Sequence, residues 1–190
     1  DRVIKQYFMR PNYFKINGEP VFSIFSIGKL LESFNNSAED ARKALDYFRE
    51  EVKKAGFPGL HIQWNQGGGS VMSEEAAARF AGNVKTMGFN SVAMYNMGGI
   101  NEDYIVYGSN SIKIREQMDT ILDVPVFPCV SIGWDDTPRF PAKGMKEVVH
   151  YHNTPQSFAA LLAKAKKYAD NHPEQPKLIT INAWNEWVEG

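Results

Sequence analysis

Short apolar runs alternate along this chain with stretches of helical periodicity, and that alternation leaves few folds open to it. The strand candidates are Val21–Ser26, Gly59–Trp64, Ser91–Tyr95, Val126–Ile132 and Leu178–Ala183. Four helices are expected between them. The first follows Ser37, where Ser37 and Asp40 resemble a capping box, and stops at Gly56. The second follows Ser73, carries Glu74 and Glu75 in its first turn, and ends at Gly88. The third follows Asn110 and runs to about Leu122. The fourth opens at Thr154-Pro155 and runs to about Asn171, short of Pro173. Two units echo each other: Ala55-Gly56-Phe57 leads into Leu60-His61-Ile62-Gln63, and Met87-Gly88-Phe89 leads into Val92-Ala93-Met94-Tyr95.

Strands joined by helical crossovers imply a parallel sheet. A (β/α)8 TIM barrel takes about 250 residues, and this chain has 190. Two architectures therefore stand: a five-stranded open sheet, or an α/β TIM barrel present as a partial chain covering the later strands. The second is the expectation carried forward.

Composition narrows the function. Lys and Arg total 21 against 22 Asp and Glu, so no basic excess is available for nucleic acid. No run approaches the roughly 20 apolar residues of a membrane span. Cys129 is the single cysteine, which excludes an internal disulfide and a multi-cysteine zinc site.

Period-2 alternation sorts the strand side chains. Leu60 and Ile62 oppose His61, Gln63 and Asn65; Val92 and Met94 oppose Ser91, Ala93 and Tyr95. Val126, Val130 and Ile132 oppose Cys129, Ser131, Gly133 and Asp135; Ile179 and Ile181 oppose Thr180, Asn182, Trp184 and Glu186. The aliphatic face suits helices. If the polar face looks into a barrel, its last members gather at the C-terminal rim, where α/β proteins build their sites: Gln63, Tyr95, Asp135, Trp184 and Glu186.

The richest segment is Ile181-Asn182-Ala183-Trp184-Asn185-Glu186-Trp187-Val188-Glu189-Gly190. Glycoside cleavage needs one carboxyl group to protonate a leaving oxygen and a second to act as base or nucleophile. Glu186 and Glu189 are the candidates. Trp184 and Trp187 offer stacking faces, and Asn185 offers hydrogen bonds to hydroxyls. In a straight strand, residues three apart point to opposite faces, so the two glutamates converge only if the backbone turns after Trp187. The competing reading is a solvated acidic loop lidded by Trp187. In Gly133-Trp134-Asp135-Asp136-Thr137-Pro138-Arg139, Trp134 is a second platform and Asp135 a hydroxyl binder. Asp136 and Arg139 read equally as parts of an Asp-Thr-Pro turn. Adjacent aspartates also hold metals in nucleotide-sugar transferases, although nothing else here completes such a site. Gln63 and Tyr95 complete the substrate-contact candidates. Gly67-Gly68-Gly69 lacks the Lys-Ser/Thr of a phosphate loop and reads as a strand–helix connection. His61 reads as an interior histidine. His150 and His152 could pinch a metal but have no third ligand nearby, and Cys129 reads as packing.

Asn182-Ala183-Trp184-Asn185-Glu186-Trp187-Val188-Glu189-Gly190, the Gly133–Arg139 segment and Asn17-Gly18-Glu19-Pro20-Val21-Phe22 together resemble the glycoside hydrolase family 99-like group. Many of its members are labelled polysaccharide-biosynthesis glycosyltransferases. The resemblance implies a (β/α)8 barrel, of which residues 1–190 would be one incomplete catalytic domain. It also implies an endo-α-1,2-mannosidase-related activity on an oligosaccharide or polysaccharide. In that chemistry Glu186 takes the proton of the sugar 2-hydroxyl, a 1,2-anhydro sugar forms, and Glu189 protonates the leaving oxygen. No metal or other cofactor takes part, and by analogy the protein works in the periplasm or outside the cell. The mannosidases carry Phe-Asn-Glu-Trp-His-Glu where this chain has Trp184-Asn185-Glu186-Trp187-Val188-Glu189. The resemblance therefore implies the catalytic roles more firmly than mannose specificity. Three rivals remain: a retaining glycosidase whose nucleophile comes from another strand, a glycosyltransferase, and a non-catalytic glycan binder.

Overall fold

A computed structural model describes residues 2–67, 69–96, 102–135, 137–139 and 149–183. A π-helical turn, Ile4–Phe8, opens the chain. A hairpin follows, pairing β1 (Lys15–Ile16) antiparallel with β2 (Glu19–Ile24). Asn17 and Gly18 both take positive φ in its turn, the conformation Asn-Gly hairpins favour. The main sheet continues with β3 (His61–Gln66), β4 (Ser91–Met94) and β6 (Val126–Phe127), and a two-stranded sheet of β7 (Cys129–Ser131) and β9 (Thr180–Asn182) carries it on. Pro128 has no N–H to give the ladder, so it splits one extended segment into β6, which pairs with β4, and β7, which pairs with β9. Pairing from β2 onward is parallel and strictly sequential: β2, β3, β4, β6/β7, β9. A doubly wound sheet reverses its order at a switch point, and this one does not. The result is a curled half-barrel, a partial TIM-like sheet rather than a closed barrel.

The crossovers are α1 (Ile27–Glu32) with α2 (Ala38–Lys54), then α3 (Glu74–Met87), α4 (Tyr104–Ile121) and α5 (Pro155–Asn171). Ser37, Ser73 and Thr154 cap α2, α3 and α5 as expected, and Thr154 with Ser157 forms a reciprocal capping box. The repeated Gly-Phe units close their helices identically. Gly56 N–H donates to the Lys53 carbonyl and Phe57 N–H to that of Val52; Gly88 donates to Lys85 and Phe89 to Val84. Both glycines hold positive φ, the Schellman geometry. The third helix departs from expectation. It starts at Tyr104, not after Asn110, and its N-cap is Asp103, whose Oδ1 accepts from Ile105 N–H at 2.9 Å. Two further short strands, β5 (Glu102–Asp103) and β8 (His150–Tyr151), pair in parallel with each other.

The two faces of the sheet divide as the alternation requires. Ile62, Trp64, Val92, Met94 and Val126 pack with Leu45, Val52, Phe80, Val84, Ile114 and Met118 of α2, α3 and α4 in the main core. Trp64 stacks on Phe80, ring centres 4.4 Å apart. Tyr104, Tyr107 and Val130 form a second cluster with Leu161 and Ala165 of α5. Among the described residues no helix is long and apolar enough to cross a membrane.

Candidate functional site

Parallel register lines up side chains on a common face, and here the concave face is polar in its middle. Ser23 lies opposite Gln63, Gln63 opposite Ser91, Cys129 opposite Thr180, and Ser131 opposite Asn182. The face is wired in two separate sets, one around Ser91 at the start of β4 and one at the ends of β7 and β9. Ser23 donates to Gln63 Oε1 at 2.9 Å, Gln63 Nε2 to Ser91 Oγ at 3.4 Å, and His61 Nε2 sits 2.8 Å from the same hydroxyl. Further along, Ser131 Oγ lies 3.3 Å from Asn182 Oδ1 and accepts from Gly133 N–H at 3.2 Å. Ala93 and Phe127 close the strand-entry side with Ile16.

Gln63 is buried with both ends of its amide engaged, so it belongs to the wired floor of this face. Tyr95 follows β4. Its N–H donates to the Gln66 carbonyl, and its ring meets Phe25 edge-on across β3, centres 5.1 Å apart. Phe25 is 56% exposed, an aromatic rim residue that the sequence reading passed over as the tail of an apolar run. His61 is the interior histidine expected: burial, with a smaller contribution from the Arg49 charge, holds its pKa below the usual imidazole value. Burial pushes the Cys129 thiol up to about 11, which leaves it protonated and fits a packing role.

Trp134 and Asp135 leave β7 through Gly133, whose φ of 116° suits glycine alone. A second strap fixes the loop. Asp135 bridges antiparallel to Val149, and His150 N–H donates to the Trp134 carbonyl at 2.9 Å. Asn153 Nδ2 donates to the Ile132 carbonyl at 3.0 Å. Asp135 Oδ1 accepts from the Thr137 N–H and hydroxyl at 2.9 and 2.6 Å, so Asp135, which the sequence marked only as a hydroxyl binder, also holds the turn. Among the described residues Oδ2 has no such partner, so Asp135 keeps one oxygen for a hydroxyl. His150 and His152 do not pinch a metal. His150 is buried and His152 pairs with Asp103 on the surface at 2.7 Å. No cluster of three metal-ligating side chains occurs among the described residues.

Trp184, Asn185, Glu186, Trp187 and Glu189 lie outside the described residues, as does Asp136. In the sequence they follow β9, whose last residue, Asn182, stands beside Ser131. Two depressions of about 470 and 460 Å³ lie near strand entrances, one by Ile16 and Leu178, the other by Phe89 and Val124. Neither is lined by Trp134, Asp135 or Tyr95.

A parallel half-barrel with an aspartate on its fourth connection is part of a barrel-type α/β frame, in which sites lie at the C-terminal strand ends. The chain matches the family described as Glycosyltransferase WbsX over residues 2–190, and it belongs to that family. It is also similar to the proteins named "Uncharacterized protein WxcX" of Xanthomonas campestris pv. campestris, strains B100 and ATCC 33913. Each is 24% identical over 194 residues. The match takes in 98% of this chain and 26% of each relative, so the chain spans about a quarter of the length of these relatives. No solved structure matches it.

Proposed function

We propose that the protein is a retaining glycoside hydrolase of the family 99-like group, endo-acting on α-linked, mannan-like glycans, with Glu186 and Glu189 as its reacting carboxyls. The observation that carries the reading is the position of Glu186-Trp187-Val188-Glu189 in the sequence directly after the strand whose Asn182 meets Ser131 at the strand ends. Trp134 and Asp135, strapped at the neighbouring strand end, supply a stacking face and a hydroxyl acceptor. Tyr95 at the rim extends the contact surface, and Trp184, Asn185 and Trp187 add to it from the terminal motif.

The chemistry balances with two carboxyls and water. Glu186 takes the 2-hydroxyl proton as O2 attacks C1; the C1–aglycone bond breaks and its oxygen receives the Glu189 proton. Water then attacks C1 of the anhydro sugar and gives its proton to Glu189, while the opening O2 recovers a proton from Glu186. Two inversions at C1 give net retention. Glu189→Gln should lower turnover of an unactivated α-glycan by about 10²–10⁴-fold, the usual worth of general acid catalysis, while calorimetric glycan binding persists. Wild-type turnover in that variant removes Glu189 from the role.

The family description favours one second reading, a glycosyltransferase of cell-surface polysaccharide synthesis. Consumption of a nucleoside-diphosphate sugar with transfer to a glycan acceptor, and no release of oligosaccharide from α-glycans, would establish it. Saturable glycan binding without either product would instead define a binding protein.

A further inference from the structure

His150 is 96% removed from solvent, at 4% exposure, and among the described residues neither ring nitrogen has a hydrogen-bond partner. Its ring lies on that of Tyr107, centres 3.8 Å apart and 25° from coplanar. A neutral imidazole always carries one N–H, and leaving it unpaired in the interior is costly. A phenyl ring would fill the same stack without that cost. The backbone around this imidazole is the strap of the Trp134 loop. His150 N–H holds the Trp134 carbonyl, Val149 bridges to Asp135, and the His150 Cβ lies against Gly133, where an added methyl would stand 3.4 Å from it.

We infer that His150 is the positioning residue of the Trp134–Asp135 loop: its neutral ring, seated on Tyr107, keeps the β8 strap closed, and uptake of a proton releases strap and loop together. The titratable groups on the neighbouring described elements are Tyr107, stacked on the ring, Tyr104 of the same helix, Asp103 of β5, Asp135 of the loop and His152 beyond β8; Glu102 stands opposite His150 in the β5–β8 register. Asp103 is already engaged with His152 and with the start of α4. The Asp135 Oδ1 is engaged with Thr137. Burial, which holds the His150 pKa below the usual imidazole value, acts in the same direction. The loop's positioning is independent of the ligand, whereas its consequence for glycan binding rests on the reading proposed above.

The test follows Trp134 and His150 together. In 5-fluorotryptophan-labelled protein, with the Trp134 resonance assigned by W134F, the ¹⁹F spectrum is recorded from about pH 8 to about pH 5, the range in which imidazoles titrate. The His150 ring is followed in the same samples by ¹³C and ¹⁵N shifts. The Trp134 signal should move in step with His150 protonation while the rest of the fold persists. H150F, which keeps the stack, should abolish that movement; H152Q, which breaks only the surface pair, should leave it. Glycan affinity should fall about tenfold per pH unit below the His150 midpoint, the linkage expected of one obligatorily neutral group, and H150F should flatten that fall. A Trp134 transition that survives in folded H150F overturns the inference. So does a His150 that titrates with Trp134 unmoved, or one that stays neutral until the whole chain unfolds. Those two outcomes need only the wild type, so misfolding of H150F leaves the question decidable. A linked Trp134 transition with no glycan bound at any pH supports the positioning role and removes the glycan reading alone.

Discussion

At the scale of single residues, the concave face is held by hydrogen bonds that share one hydroxyl. Ser91 serves both His61 and Gln63. Ser91→Ala should therefore leave two buried partners unsatisfied and cost about 1–3 kcal/mol, read as a lower urea midpoint at unchanged slope. The two buried imidazoles set a pH dependence of known sign. His61 and His150 both titrate below their ordinary value of 6.5 when folded, chiefly through burial. On acidification the unfolded chain takes up protons first, so stability is full above the unfolded value and drains away as pH falls from there through the lowered folded values. Urea midpoints measured across that window should fall with pH, and an unchanged midpoint would contradict the burial of both rings. The shared face of Ser91 with Ala93, and of His61 with Gln63, was legible in the sequence because period-2 alternation along a strand fixes which face a residue shares. The importance of His150 was not, because it arises from β8 pairing with β5 and with the Trp134 loop, and no local spacing encodes those meetings.

At the scale of elements, the caps were legible and one helix start was not. Ser37, Ser73 and Thr154 announce their helices because a side-chain oxygen before an apolar period has a defined job. The α4 start was hidden by Tyr104-Ile105-Val106-Tyr107, aromatic and β-branched residues that favour strands. Tertiary burial of Tyr104 and Tyr107 overrides that preference, and Asp103 rather than Asn110 supplies the cap. Thr154→Ala should cost about 1 kcal/mol of stability, the usual worth of an N-cap oxygen. Two helical glycines should respond to alanine with opposite signs. Gly82 of α3 is exposed with nothing within 4 Å of an added Cβ, so Gly82→Ala should stabilise by about 0.5–1 kcal/mol. An added Cβ on Gly108 of α4 would meet the Leu161 side chain inside the α4–α5 contact. Overpacking there costs about 1–3 kcal/mol, which outweighs the gain in helix propensity. Thermal melts of the two variants against wild type check both signs.

At the scale of the whole molecule, the five strand candidates and their parallel crossovers were all legible, because buried parallel strands read as bounded apolar runs. Sheet order was less so: the Gly-Phe echo hinted at a repeated unit, but only the register separates a half-barrel from a doubly wound sheet. The split at Pro128 follows from its missing N–H, while the partners of its two halves are a matter of three dimensions. If the two-glutamate proposal holds, anomeric configuration should be retained, and ¹H spectra taken as product first appears should show the α-anomer before mutarotation. A β-anomer as first product would sink the anhydro-sugar route. The sequential pairing has a consequence for synthesis as well as for chemistry. Along β2, β3, β4, β6/β7 and β9, each strand docks beside the one of that series made before it, with its own crossover helix as cover, while the short β5 pairs only once β8 has been made. Growth of the half-barrel can then proceed by accretion on a finished edge.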